Sequence, residues 1–315
     1  MNLDIKYLEN TIDNSKNQVS GPWRMSKWVK ENEPTSYVFS EEHGNEGSCS
    51  YGKEITKLIR DILDNTDNVH VFIEHFIHAD DVLNTDKSLE QACSIVSDNT
   101  ILNNLRTCLE VMRIKRSERK DKIHFVDPRT DLIAILPGGN VYKSIHFYIQ
   151  SLLEKDNKES VLITLFEAYI HPLQSLFPDK LVPSGRFSGS IEKAKNMMTS
   201  DQKTFFTMIW KKDVIGRISE LTTEFRRMEK TSDVSSETVQ NLYILYRDMT
   251  NKFLDTWLLA HIFLAQNKNM SASVVYLGSL HSLHFEKYLE SYGYKKDYLV
   301  ENQNLVSCIS TQKNK

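Results

Sequence analysis

Cysteine is scarce in this chain, with four in 315 residues (Cys49, Cys93, Cys108 and Cys308) and no Cys-x-x-Cys spacing. That scarcity speaks against structural zinc held by thiolates and against a dense disulfide framework. Reduced thiols are therefore the expectation. An excess of one charge is also lacking: the net charge is −3, which gives no reason to expect nucleic acid or an anionic membrane as partner. Long hydrophobic runs are missing as well. The longest, residues 257–265, contains His261 and falls far short of the roughly 20 residues that a membrane span needs. The opening Met1-Asn2-Leu3-Asp4-Ile5-Lys6 lacks the basic-then-apolar order of a signal peptide, so a cytoplasmic location is expected. No Gly-x-Ser-x-Gly elbow, phosphate-cradling glycine loop or His-Glu-x-x-His helix occurs, which removes most support for serine hydrolase, nucleotide-binding and zincin chemistry.

What remains is ordinary in bulk and informative in order. Hydrophobic residues make up 40% and charged residues 26%, as in a soluble globular protein. Abundant Asn, Lys, Ile and Ser match an AT-rich genome, as in a parasite or a large virus. Residues 1–35 read as an extension packed on the core. A short strand is expected at 37–39, then an amphipathic helix over 53–65 with Ile55, Leu58, Ile59, Ile62 and Leu63 on one face. Val69, Val71 and Ile73 alternate as a strand that ends in Glu74, and another strand at 122–127 is closed by Pro128. From 141 to 266 the pattern is helical, including a long helix begun by Ser235 or Ser236. A strand, a turn and a helix return over 274–292, a last strand fits 305–309, and 311–315 read as a frayed tail. The expected fold is α/β: a central, largely parallel sheet flanked by helices, formed by residues 36–140 and 267–310, with a helical insertion over 141–266.

Two segments near opposite ends of the chain share one pattern: an apolar strand, a small residue, two positions and a histidine. The first is Tyr37-Val38-Phe39-Ser40-Glu41-Glu42-His43, and the second is Val275-Tyr276-Leu277-Gly278-Ser279-Leu280-His281. Such turns place their residues at the carboxyl end of a parallel sheet, where open α/β sheets bind ligands. Glu41, His43, Glu74 and His281 then share a rim. Two imidazoles and one or two carboxylates suit a divalent transition metal, and they equally suit general acid–base chemistry in which a carboxylate orients a histidine. A carboxylate ending an apolar strand is the more telling member, because burying it is costly without a partner.

Ser-Glu-Glu-His-Gly at 40–44 resembles the Gly-Glu-x-His signature that opens the erythromycin esterase and ChaN-like families. Gly278-Ser279-Leu280-His281, leading into Phe285-Glu286-Lys287-Tyr288-Leu289, resembles the second Gly-x-x-His of the Tiki/TraB proteins, which also end their second strand in an acidic residue, as Glu74 does here. The resemblance implies an α/β core with a helical insertion and a site of Glu41, His43, Glu74 and His281. Members of this clan include metal-dependent proteases, macrolide esterases and a haem-iron-binding lipoprotein. The first motif departs from the family in Ser40, where a glycine is usual. Serine suits that turn unless the position requires a positive φ.

Further residues join the candidate set. His78 and Asp80 lie in the segment after Glu74, which reads as a solvated loop entering the site. Asp127 could hold a histidine and Arg129 an anionic substrate group, or the two could form a structural pair. Arg186, between small residues at 184–189, could line a substrate lid or simply lie in a connection. His284, one turn beyond His281, is read as a surface histidine that can share its face, and His261 as a core histidine. The expected activity is hydrolysis of an ester, a lactone or a peptide in a small-molecule or peptide substrate. In one form His43, Glu74 and His281 hold Mn, Co, Zn or Fe; in the other the site has no cofactor. The alternative is a non-catalytic binding or interaction module on the same scaffold.

Overall fold

A computed structural model describes residues 3–13, 18–41, 53–76, 88–94, 101–128, 191–229, 236–301 and 308–310. The chain divides into two compact units: Met1–Val126 with Ala265–Lys315, and Asp127–Leu264.

The first unit opens with α1 (Leu3–Leu8), a π-helical turn (Glu9–Asp13), β1 (Gln18–Ser20), β2 (Arg24–Val29) and β3 (Thr35–Glu41). It continues through β4 (Lys53–Glu54), α2 (Ile55–Asn65), β5 (Val69–Phe76), α3 (Leu89–Ala92), α4 (Ile101–Lys115) and β6 (Ile123–Asp127). In the second unit the described residues form α5 (Ile191–Asn196), α6 (Ser200–Ile209), α7 (Gly216–Glu229) and most of α8 (Ser236–Gln266). The chain then returns to the first unit with β7 (Ala272–Gly278), α9 (Ser279–Ser291), β8 (Lys295–Glu301) and β9 (Cys308–Ser310).

The fold is α/β. Six strands form a mixed sheet in the order β6-β5-β7-β3-β2-β8, and a small sheet has the order β4-β1-β9. β5, β7 and β3 run parallel; β2 adds antiparallel to β3, and β8 pairs antiparallel with β2 and so runs with the parallel strands. Every residue of β3 and β7 is buried, as expected of strands covered on both faces. Helices α2 and α4 pack on one face, where Ile55, Leu58, Ile59, Leu105 and Leu109 share a core with Tyr37, Phe39, Val71, Ile73, Val274 and Tyr276. Alternation sends Val38, Ser40, Phe72, Val275 and Leu277 to the other face. Helix α9 lies there, and Ser40 Oγ donates to Ser282 Oγ at 2.6 Å.

Residues 1–35 are more than an extension, because β2 is a strand of the main sheet. Its polarity hides it from a search for apolar alternation. Arg24 and Ser26 face α9, where Arg24 gives two hydrogen bonds to Glu286 (2.5 and 2.6 Å) and Ser26 Oγ gives a third (2.5 Å). β8 was hidden for the related reason that it is an exposed edge strand.

The expectation of reduced thiols is corrected at two positions. Cys93 and Cys108 form a disulfide with Cα atoms 4.4 Å apart. Ser88 caps α3 reciprocally with Gln91, and the short helix packs beside α4, which brings the two cysteines together without any motif spacing.

In the second unit, Thr199 and Gln202 form the capping box of α6. The rings of Phe206, Trp210, Phe253 and Trp257 follow one another at 6.1, 5.7 and 6.2 Å, and His261 meets Trp257 edge-on at 5.2 Å. Among the described residues no helix is long and apolar enough to cross a membrane.

Candidate functional site

The two echoing segments are neighbours. β3 and β7 pair in parallel from Thr35↔Ala272 to Glu41↔Gly278. The echo is nevertheless one residue out of register, since Ser40 lies opposite Leu277 and Gly278 lies opposite Glu41. Strand side chains alternate with a period of two, so the two small positions belong to opposite faces. Neither requires a positive φ. Gly278 is extended (φ −60°, ψ 154°) and caps α9, and among the described residues only Asn32 and Asn269 are non-glycines with positive φ. Ser40 is small because α9 approaches it, and its hydroxyl has a partner there.

Glu74 lies on the α9 face of β5, near the carboxyl ends of the parallel strands. Its Oε2 accepts the Gly278 N–H at 2.8 Å, and its Oε1 stands 3.8 Å from His281 Nε2. The exposures of Glu74 and His281 are 4% and 5%. Arg106 of α4 holds the main chain at the same point, donating from Nε and Nη2 to the Glu74 carbonyl oxygen at 3.0 and 2.6 Å. A carboxylate fixed by a backbone amide, with its second oxygen turned to an imidazole, can orient that imidazole.

Glu41 shares the same rim but belongs to the opposite face, in line with Phe39 and Tyr276. Its Oε2 accepts the Tyr276 hydroxyl at 2.9 Å. Burial pushes the Tyr276 hydroxyl pKa well up, and the Glu41 charge and hydrogen bond push it further. Glu54, also on this side, has its carboxyl pKa raised by burial, and Thr56 donates to its Oε1 at 3.1 Å. The strand here runs past Glu74, which corrects the loop expected after it: His75 is buried in β5 and its Nε2 pairs with Glu110 Oε1 of α4.

The structure therefore brings Glu74 and His281 together and turns Glu41 to the other side of the sheet. Asp127 ends β6 and is buried, and His284 is half-buried on α9. His43, His78, Asp80, Arg129 and Arg186 lie outside the described residues. For a metal, Glu74 Oε1 and His281 Nε2 offer two donors, and among the described residues no group of three His, Cys, Asp or Glu side chains converges as ligands. Three participants were not singled out from the sequence: Tyr276, Arg106 and Glu110. Tyr276 carried a readable signal, since a tyrosine in a strand buried on both faces needs a partner for its hydroxyl. Arg106 and Glu110 look like surface charges of an amphipathic helix.

Comparison with family models, curated proteins and solved structures returns no match.

Proposed function

We propose that the chain is a hydrolase of ester, lactone or peptide bonds that uses Glu74 and His281 as its proton-transfer pair. The observation that carries this reading is the division of the Glu74 carboxylate between the Gly278 amide and His281 Nε2 at the carboxyl end of the parallel strands. The Gly278 amide fixes the carboxylate without neutralising it. Its second oxygen then stabilises the imidazolium that forms when His281 takes a proton from the attacking water, and the same proton passes to the leaving group. In the metal form, Glu74 Oε1, His281 Nε2 and His43 would be the donors, and a bound Mn, Co, Zn or Fe would supply a water of lowered pKa.

The substrate is a small molecule or a peptide. The disulfide supports an oxidising setting for the working protein over the reducing cytosol. The deep burial of the pair favours a second reading, a binding module whose Glu–His contact is structural.

The test is hydrolysis across a panel of esters, lactones and peptides, with metal analysis of protein purified without a histidine tag. Glu74→Gln and His281→Gln should each lower kcat by about 10²- to 10⁴-fold while leaving the unfolding midpoint nearly unchanged. Near-stoichiometric metal lost in both His43→Ala and His281→Ala supports the metal form. A panel without turnover in the unaltered protein, with no metal bound, sinks the hydrolase and leaves the binding module.

A further inference from the structure

Helix α4 grips β5 at two consecutive residues. Arg106 holds the Glu74 carbonyl oxygen with two N–H groups, and Glu110, one turn later, pairs with His75. Arg113, the next residue along the same stripe, lies 5.3 Å over the Phe125 ring of β6, and His75 meets Phe125 edge-on at 5.0 Å. Arg106, Glu110 and Arg113 recur at i, i+4 and i+7, so a single face of α4 lies on the ends of these two strands. Cys108 sits two residues from Arg106, about 200° around the helix, on the side that α3 occupies. The disulfide to Cys93 thus ties α4 to α3 on the buried side that also carries Leu105 and Met112, while Arg106 and Glu110 hold β5 from another side of the helix.

The pairing of β5 with β7 runs from Val69↔Ala272 to Ile73↔Tyr276. Glu74 follows directly, and from there α4 supplies the grip on its main chain. A side chain's reach is set by its backbone, so a shift of the Glu74 main chain, which the Arg106 fork holds, would move the carboxylate relative to the Gly278 amide.

We infer that the Cys93–Cys108 disulfide, acting through Arg106, sets the position of the Glu74 carboxylate, so that the Glu74–His281 arrangement forms with the disulfide closed and loosens when it is reduced. Arg106 is a positioning residue. The inference rests on Glu74 and His281 being the functional pair, but its test reads the geometry and not the activity. In the redox step a dithiol such as dithiothreitol attacks the bond, Cys93 and Cys108 each leave as a thiol, and the dithiol is oxidised to its cyclic disulfide.

The test is amide hydrogen exchange on ¹⁵N-labelled full-length protein, with and without dithiothreitol. Gly278, whose N–H is held by Glu74, reports the site, and Val275, in the middle of β7, reports the sheet. Reduction should lower protection at Gly278 by at least about tenfold with Val275 unchanged. Arg106→Ala should do the same in the oxidised protein, and reducing that variant should add nothing. Arg106→Lys should retain part of the protection, because an ammonium still donates but without the fork. Where Arg106→Ala does not fold, Cys93→Ser with Cys108→Ser gives the same readout. Equal Gly278 protection in both redox states overturns the inference. So does a parallel loss at Gly278 and Val275, which would be general loosening, or additive effects of reduction and Arg106→Ala. An inactive substrate panel with a redox-sensitive Gly278 would overturn the hydrolase reading alone.

Discussion

At the scale of single residues, several buried polar groups of this sheet are tied to a named partner, and the cost of untying them can be stated. Tyr276 is fully buried and donates to Glu41, which is 6% exposed. Tyr276→Phe removes the hydroxyl that donates to Glu41 Oε2. Urea unfolding should show a loss of about 1–3 kcal/mol with an unchanged m-value. Ser40 offers a sharper contrast, because the family-like motif has glycine there. Ser40→Gly would reproduce the glycine of the motif it resembles, yet in this protein it deletes the bond to Ser282 and adds backbone freedom to a central strand. A destabilisation of about 1–2 kcal/mol is expected. A gain in stability would show that serine is the strained choice at this turn.

At the scale of elements, what could be read in the sequence depended on whether apolar spacing defined the element. The helix over Ile55–Asn65, the strands beginning at Val69 and Ile123, the long helix Ser236–Gln266 and the strand–helix unit around Gly278 all carry such spacing, and all stand where expected. β2 carries its signal in polar residues that have meaning only beside Glu286, nearly the whole chain length away. The site divides in the same way. Glu74 and His281 were legible because a strand end and a helix start mark them. The face on which Glu41 falls was not legible, because it depends on the register between β3 and β7, which slides the echo by one residue. The Arg24–Glu286 pair is the clearest element-scale test. Arg24→Ala would leave Glu286, itself 4% exposed, without its fork and would loosen α9 from β2. Urea midpoints should report a loss of about 3–5 kcal/mol. A loss below about 1 kcal/mol would mean that Lys296, now 3.6 Å from Glu286, takes over the pairing.

At the scale of the whole molecule, the main sheet draws its strands from both ends of the chain, so acid sensitivity at one strand pair should register in global unfolding. His70 of β5 is 6% exposed and shares a hydrogen bond with His124 of β6, Nδ1 to Nε2 at 2.9 Å. The rings are nearly parallel, and Phe72 stacks on His124 at 4.5 Å. One proton serves the two nitrogens, so a second cannot be added without losing the bond. Burial, with the positive charges of Lys122 and Lys268, pushes the His70 pKa down from 6.5 to about 4. Between these values the unfolded chain holds a proton on His70 that the folded chain does not, so unfolding takes up protons and stability falls as the pH falls. The contribution is fully present above pH 6.5 and lost by about pH 4, and it amounts to about 3 kcal/mol. Urea unfolding from pH 8 to pH 4 should show this slope in the unaltered protein. In His70→Phe, which fills the stack without a titrating group, the slope should shrink by about that amount. If both proteins lose stability in parallel across this range, the acid sensitivity belongs to other groups and the His70–His124 pair is not its source.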